Sequence, residues 1–215
     1  MSIDRRSALL ALAGGASTLI ACRGISAATE PERGKVRADL YACEGCDAVA
    51  ERRPDTLSAT LQLASAQEPG ERMTLTGRVL SRDGTPAEDV VLYAHHTNRD
   101  GLYANGTQET EWSRRHGRLR GWVKTGVDGV YTFRTIKPAP YPDMAGPAHI
   151  HLFVGEPGKR PYYIDDVVFD GEFGVTAAYR QACELRGGNG IVRLDRTGDG
   201  ILFARRDIWL EAHPG

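Results

Sequence analysis

The sequence lacks the features that mark several large classes of protein. Its apolar run from Ala8 to Ala21 is too short to span a bilayer as an ordinary transmembrane helix. The 27 Lys and Arg residues nearly balance the 28 Asp and Glu residues, and they are scattered along the chain. Because there is no basic stripe, arginine cluster or aromatic platform, the sequence predicts no nucleic-acid partner. It also contains no internal repeat.

Cysteine is scarce, with four in 215 residues. Apart from Cys22, which belongs to the N-terminal segment, the cysteines are Cys43, Cys46 and Cys183. This odd number leaves at least one thiol outside an intramolecular disulfide. Cys43 could bridge to Cys46, or either could pair with Cys183, and the sequence leaves both pairings open. A redox-active or zinc-binding CxxC is not favoured, because there is no second cysteine pair and no thioredoxin-like βαβ pattern.

What the sequence does have is a series of short strand signals. Met73, Leu75, Gly77 and Val79 alternate with polar residues, which is the period of a half-buried strand. Asp-Gly pairs mark turns between such runs. Further apolar runs lie at 90–94, 122–123, 131–136, 150–154, 163–169, 191–194 and 201–204. The pattern predicts an all-β protein, a β-sandwich of short strands with one short helix over residues 174–185.

The first 22 residues are predicted to be a targeting segment. Arg5 and Arg6 precede the apolar run, which suggests twin-arginine export. The stretch that ends at Cys22 resembles a bacterial lipobox, in which that cysteine is lipidated; ordinary signal cleavage near residues 27–28 is the alternative. Either route predicts an exported protein, periplasmic or at the cell surface, attached to a membrane only through a lipid at Cys22.

The rest of the chain is predicted to be a tether followed by one domain. Residues 23–40 have few large apolar groups and read as a flexible tether. Residues 41–215 are enough for a single domain with a substantial core. The sequence does not predict an oligomeric state.

The segment from Ala139 to His151 is the most informative part of the chain. Tyr141 lies eight residues before a His-x-His pair, His149 and His151, in a loop that runs into a strand. Residues i and i+2 of a strand point to the same face, so the two imidazoles can bind one ion. Imidazole binds iron, copper or zinc, and an added phenolate favours ferric iron. The structural alternative is a pair of satisfied histidines beside a Tyr-Pro turn.

Three upstream segments accompany this motif, at 74–87, 90–103 and 120–138. In order and spacing, the succession from about Leu75 to Gly171 resembles the catalytic domain of intradiol ring-cleavage dioxygenases, the catechol and protocatechuate dioxygenase family. The resemblance implies a non-haem ferric ion, Fe(III), held by two tyrosines and two histidines. Matched position by position, these ligands are Tyr103, Tyr141, His149 and His151.

The resemblance also implies a reaction. A small aromatic diol is cleaved by O2 between its two hydroxylated carbons to give a muconate-type diacid, and no organic cofactor is needed. Tyr141 is the catalytic ligand, displaced when the diol binds, and it takes up one substrate proton. Tyr103 and the two histidines stay on the metal.

One position departs from the family pattern. Gly146 stands where the family has an arginine that reaches the substrate, and glycine cannot supply the charge of a guanidinium. The stretch between Tyr103 and Trp122 contains four arginines that could replace it, namely Arg114, Arg115, Arg118 and Arg120.

Two more pocket residues are predicted. By resemblance, Asp166 takes the place of a polar side chain that lines the substrate pocket. His95 and His96 lie on opposite faces of one strand, so at most one of them faces the pocket, and we assign His96 to it. Together with Gly146 and Arg120, these residues form the predicted substrate pocket.

Two other functions remain open at this point. A non-catalytic cell-surface β-sandwich that binds a ligand or polymer is supported by Gly146, but it has no need of four convergent metal ligands. A zinc or copper site on the same four residues is the second alternative.

Overall fold

The computed structural model describes residues 36–107 and 109–215. The predicted signal segment, with Cys22, lies outside the described residues. Residues 36–40, predicted as the end of the tether, instead belong to the domain: Val36 forms a β-bridge with Ala212, and Leu40 is fully buried. The prediction was wrong because a single leucine in a polar stretch gives no periodic signal, yet it is enough to anchor the chain in the core.

Within the described ranges the chain forms eleven strands and two short α-helices. The strands are β1 Thr60–Gln62, β2 Arg72–Leu80, β3 Val91–His96, β4 Arg120–Lys124, β5 Val130–Ile136, β6 His149–Gly155, β7 Tyr162–Phe169, β8 Ile191–Val192, β9 Leu194–Arg196, β10 Leu202–Arg205 and β11 Ile208–Trp209. The helices are α1 Glu111–His116 and α2 Ala177–Ala182, with a 3-10 helix at Cys46–Val49. None of these helices of the described chain has the length and apolar character of a membrane span.

The strands form two mixed sheets. The first has the order β1-β5-β2-β10-β9, with β11 also paired to β2, and the second has the order β4-β3-β6-β7-β8. The pairs β2–β5, β3–β4, β3–β6 and β6–β7 are antiparallel, whereas β1–β5, β10–β2 and β7–β8 are parallel. The predicted all-β sandwich is confirmed.

The main core lies between the two sheets. The first sheet contributes Leu75 and Phe133, and the second contributes Leu92, Ile150 and Val167, each at most 1 % exposed. These residues follow the period of two that the sequence shows, and each fully buried side chain of this size contributes about 1.5–3 kcal/mol. The other face of the second sheet carries a smaller apolar cluster beneath α1 and the 3-10 helix.

The helix prediction needs two corrections. The helix expected over 174–185 is shorter, because Thr176 caps α2 by accepting a hydrogen bond from the Tyr179 amide at 3.1 Å and Cys183 is already extended. Helix α1 was not predicted at all, since six residues are too few for a helical period. Its signal is a capping box, in which the side chains of Thr110 and Ser113 each accept from the other's backbone amide.

The cysteine pairing is resolved within the described residues. Cys43 and Cys46 form a disulfide, and Cys183 is a free thiol. Of the two pairings that the sequence left open, the internal one is therefore observed.

An irregularity in the second sheet shapes the site. Ile150 pairs with Val167 and Leu152 with Ile164, so Asp165 and Asp166 together lie opposite the single residue His151. This β-bulge shifts the alternation of β7. Ile164 and Val167, three positions apart, both enter the core, and the two aspartates remain partly exposed.

A buried arginine ties this bulge to the first sheet. The side chain of Arg206, 2 % exposed, donates to the carbonyl oxygens of Asp165 and Arg186. Its backbone lies against β2, where a Cβ on Gly77 would sit 1.7 Å from the Arg206 carbonyl oxygen. Glycine at position 77 therefore permits the close approach of the two segments.

We expect Gly77→Ala to destabilise the protein. The added methyl group requires a backbone shift, and overpacking of this kind typically costs about 1–3 kcal/mol. Urea unfolding measures the change in the free energy of unfolding. Gly198→Ala is the matched control, because a Cβ there meets nothing within 4 Å. Equal stability of the two variants would contradict the close approach.

Candidate metal centre

Four side-chain donor atoms meet at one end of β6. The hydroxyl oxygen of Tyr103 lies 2.9 Å from that of Tyr141 and 2.9 Å from His151 Nε2. His149 Nε2 lies 3.2 Å from the Tyr141 oxygen and 3.0 Å from His151 Nε2. The atoms thus form a closed ring with sides of about 3 Å, which we call the four-donor group. The sequence predicted all four residues.

The size of this ring fits a transition metal ion. Nitrogen and oxygen ligands lie about 2.0–2.2 Å from such an ion, so ligands at right or tetrahedral angles are roughly 2.8–3.6 Å apart. All four sides of the ring, 2.9 to 3.2 Å, fall in this interval. Two phenolate oxygens and two imidazole nitrogens are also a donor set that suits iron.

Hydrogen bonds at the far side of each histidine direct its Nε2 into the ring. His149 Nδ1 lies 2.8 Å from the Pro147 carbonyl oxygen, and His151 Nδ1 lies 2.8 Å from an Asp166 carboxylate oxygen. Because both partners only accept, each Nδ1 carries the proton and each Nε2 presents a lone pair. Two such lone pairs face each other at 3.0 Å, an arrangement that a cation between them stabilises.

Burial prepares these groups to bind a cation. It lowers the pKa of His149, helped by the neighbouring His151, so the imidazole is neutral as a ligand must be. Burial also raises the pKa of Tyr103 above its ordinary value, and the hydrogen bond with Tyr141 adds to the effect. Its phenolate form therefore needs a nearby positive charge. Burial alone would raise the pKa of Asp166, but His151 outweighs it and the net shift is downward.

The two tyrosines come from loops that touch each other. Asn98, at the start of the first loop, accepts hydrogen bonds from the amides of Asp100 and Leu102 through its side chain, both at 3.0 Å. Gly101 has a φ of +78°, and a Cβ there would lie 2.0 Å from the Pro140 carbonyl oxygen. This contact holds the loop of Tyr103 against the loop of Tyr141.

The outer face of the second sheet places four polar residues side by side. In register, Arg120 of β4 is opposite His95 of β3, which is opposite His151 of β6. Asp166 of β7 lies in the bulge beside His151. This row places the Asp166 carboxylate beside the ring of His151, and Asp166 lines the larger of the two cavities next to the site, not the smaller one.

His96 does not belong to this row. It is 1 % exposed on the core side of β3, and its ring nitrogens lie 2.7 Å from the Thr97 carbonyl oxygen and 2.7 Å from the Thr135 hydroxyl. The assignment of His96 to the substrate pocket was wrong. Neighbouring residues of a strand point to opposite faces, and in β3 the residue that faces the site is His95.

Sequence reasoning missed His116 and passed over His95 in favour of His96. His95 is 4 % exposed and its ring is stacked between those of His116 and His151, with centroid distances of 3.7 and 4.4 Å. Burial lowers the pKa of His116 to about 4, with a further contribution from His151. His116 lies in α1, so its place at the site could have been predicted only by recognising the capping box at Thr110.

The four arginines of the intervening stretch have different surroundings. Arg118 forms a two-pronged ion pair with the buried Glu68, and Arg120 donates to Glu51 at 2.7 Å, with a side chain only 9 % exposed. The Arg120 guanidinium is thus paired with Glu51 and does not face the substrate pocket, so its assignment to that pocket was wrong. Arg114 is exposed and lines neither of the two cavities beside the four-donor group. Arg115 lines one of them.

Two cavities adjoin the four-donor group. The smaller, about 350 Å³, is lined by Glu44, Gly45, His95, Tyr103, Trp112, Arg115, His116, Tyr141, His151 and Phe153. The larger, about 530 Å³, lies on the Asp166 side and contains only His151 of the four ligands predicted. Gly146 has no side chain to offer the substrate, and even a Cβ at this position would meet no atom within 4 Å.

Comparison with known proteins identifies the family. A family model described as "Dioxygenase" matches residues 48–184. Catechol 1,2-dioxygenase 2 of Acinetobacter lwoffii is 31 % identical over an alignment of 155 positions, which covers 60 % of this chain and 54 % of that protein. The chain belongs to the intradiol ring-cleavage dioxygenase family. This confirms the resemblance found in the sequence motifs.

Other relatives agree with this placement. Chlorocatechol 1,2-dioxygenase of Rhodococcus opacus is 34 % identical over an alignment of 131 positions, which covers 53 % of this intradiol dioxygenase chain and 49 % of that protein. The chain therefore spans about half the length of the curated relatives it matches. The dioxygenase domain of a carbohydrate-binding fusion protein from Streptomyces sp. SirexAA-E has the same fold, with a TM-score of 0.53 and 24 % identity over 74 % of this chain and 92 % of that one.

We expect Asp166→Ala to weaken metal binding. The change removes the acceptor that orients His151, and loss of such a partner typically lowers metal affinity about 10–100-fold. Competition with a chelator measures the dissociation constant. Asp170→Ala is the control, because Asp170 is an exposed carboxylate just beyond β7. Equal affinities of the two variants would show that the Asp166 bond does not orient the ligand.

Proposed function

We propose that the protein is a non-haem iron dioxygenase that cleaves an aromatic ring between two adjacent hydroxylated carbons. The diol takes up both atoms of one O2 molecule and becomes a muconate-type diacid, so the reaction needs no further reductant. The observation that carries this proposal is the closed four-donor group, with sides of 2.9 to 3.2 Å, in a chain of the intradiol family.

The four residues of the four-donor group have two different roles in the proposed reaction. Tyr103, His149 and His151 would hold the ion throughout, and their orientation is set by hydrogen bonds and loop packing. A ferric ion bound there would supply Lewis acidity towards the diol oxygens. Tyr141 accepts a substrate proton at its phenolate oxygen, the role that the family resemblance assigns to it.

The smaller cavity suits a flat aromatic diol. It is the cavity that reaches Tyr103, Tyr141 and His151 together, whereas the larger one reaches only His151 of these. Trp112 and Phe153 provide apolar walls on which a ring can pack.

Export is part of the proposal. The paired arginines at 5–6 and the lipobox-like stretch ending at Cys22 support it, and both lie outside the described residues. The disulfide between Cys43 and Cys46 is independent support, because such bonds persist in oxidising compartments. The substrates would then be aromatics met outside the cytoplasm.

Iron loading tests the function. The protein with ferric iron should show a visible tyrosinate-to-iron charge-transfer band, and with catechol it should consume O2 and form a diacid. Tyr103→Phe and His149→Ala should lose iron and colour together, since each removes one of four protein ligands. Tyr163→Phe is the control, because Tyr163 lies outside the smaller cavity.

The competing functions predict different results. A protein that stays colourless and iron-free after reconstitution would favour a binding module, and one that takes up only zinc or copper would favour the other metal site. Full iron occupancy and unchanged colour in both ligand variants would exclude this ligand set.

Arg115 is our candidate for the charge that Gly146 does not provide. It lines the smaller cavity, its guanidinium carbon lies 4.8 Å from the Trp112 ring centroid, and it forms an ion pair with Glu44. Glu44 is 80 % exposed, so the pair is weak and the guanidinium can turn to the substrate.

We expect Arg115→Ala to lower kcat with catechol about 10²-fold while iron content stays normal, because it removes a donor for the charge that builds on the substrate. Steady-state O2 uptake and iron analysis check this. Arg114→Ala, one residue away and exposed, should turn over like the wild type. Similar kcat values for both variants would exclude Arg115 from this role.

A further inference from the structure

Three imidazole rings form a column that ends on a predicted metal ligand. The His116 and His95 rings are nearly parallel, at 4° and a centroid distance of 3.7 Å, and His95 lies against His151 at 29° and 4.4 Å. His151 is thus contacted on its face by His95 and at its edge by Asp166. We call the three rings the imidazole column.

The far end of the column is fixed. His116 Nδ1 lies 2.9 Å from the hydroxyl of Tyr93, a residue with no exposed surface. Helix α1, which carries His116, is anchored by Glu51, whose carboxylate accepts from the Thr110 hydroxyl at 2.6 Å and the Trp112 amide at 3.2 Å. The far end of the column is therefore held by a hydrogen bond to Tyr93 of β3 and by the capped helix α1.

The Asp166 bond leaves one motion of the His151 ring free. A hydrogen bond at Nδ1 fixes one point of an imidazole, and the ring can still tilt about that point. The lone pair of Nε2 lies in the ring plane, so tilting turns it away from an ion. A ring packed on the face opposes the tilt, because close-packed side chains lack room to move.

His95 itself is not placed to bind the ion. Among the His, Cys, Asp and Glu side chains of the described chain, the ligand atoms that lie within 4.8 Å of one another belong to His149, His151 and Asp166, and His95 is not among them. His95 Nδ1 is buried without a hydrogen-bond partner in the described chain, so no polar contact of that atom accounts for the position of the ring. The contacts of His95 with the site are thus made by the two faces of its ring, which stack on His116 and His151.

We propose that His95 and His116 are positioning residues for His151, whose stacked rings set the metal affinity of the four-donor group. The inference rests on the proposed function in requiring that this group binds a metal ion. His116 stacks on His95 and His95 stacks on His151, so the packing effect of His116 on His151 is transmitted by the His95 ring.

Cobalt(II) titration of the purified full chain tests the proposal, because cobalt absorbs visible light according to its ligand geometry. His95→Ala should weaken cobalt binding about tenfold or more, the size of effect known for groups that orient metal ligands, and shift the visible bands. His95→Phe, which keeps an aromatic face, should restore affinity to near the wild-type value. Thermal unfolding checks that each variant is folded.

A double-mutant cycle separates positioning from general stability. His116→Leu should weaken cobalt binding in the wild-type background and have little further effect in the His95→Ala background, because its only route to the ion is then gone. If His95→Ala does not fold, the same cycle with His95→Leu gives the answer.

The outcomes are distinguishable. Wild-type protein that binds neither cobalt nor iron would overturn the proposed function and this inference together. Wild-type protein that binds cobalt, with the same affinity and bands in folded His95→Ala, would overturn the inference alone. Equal losses in His95→Phe and His95→Ala, or independent effects of His95 and His116, would also overturn it.

Discussion

The loss of register between β6 and β7 is the constraint on which the site depends. Two aspartates lie opposite His151 where one residue is normal, and this lets the core keep Ile164 and Val167 while Asp166 bonds to the imidazole edge. A regular ladder would turn one of these carboxylates into the apolar core, where it would have to be paired or neutralised. One extra residue in β7 therefore allows both the apolar packing of the core and the hydrogen bond that orients His151.

Much of the architecture was readable from the sequence, because one simple rule produces it. Period-two patterning gave the long strands, and the same alternation gave the shared face of His149 and His151. Two short strands, β1 with three residues and β11 with two, were missed, since they are too short to show a period. They form because neighbouring strands offer free backbone groups.

The parts of the site that could not be predicted come from contacts between distant segments. His95 and His96 are equivalent in sequence, and only the pairing of β3 with β6 decides that His95 meets His151. Likewise, the tandem aspartates at 165–166 do not reveal which one reaches an imidazole. Buried Arg206 would have been read as a surface residue, although it joins the bulge to the first sheet.

The contact between Gly101 and Pro140 has a mechanical consequence. The two backbones are so close that there is no room for even a methyl group, so neither tyrosine loop can swing towards the other. If Tyr141 leaves the ion as proposed, rotation of its own side chain would release it without moving either loop. Rotamer changes are fast and need little reorganisation of the surrounding chain, so the scaffold can stay rigid while a single phenol ring acts as the moving part.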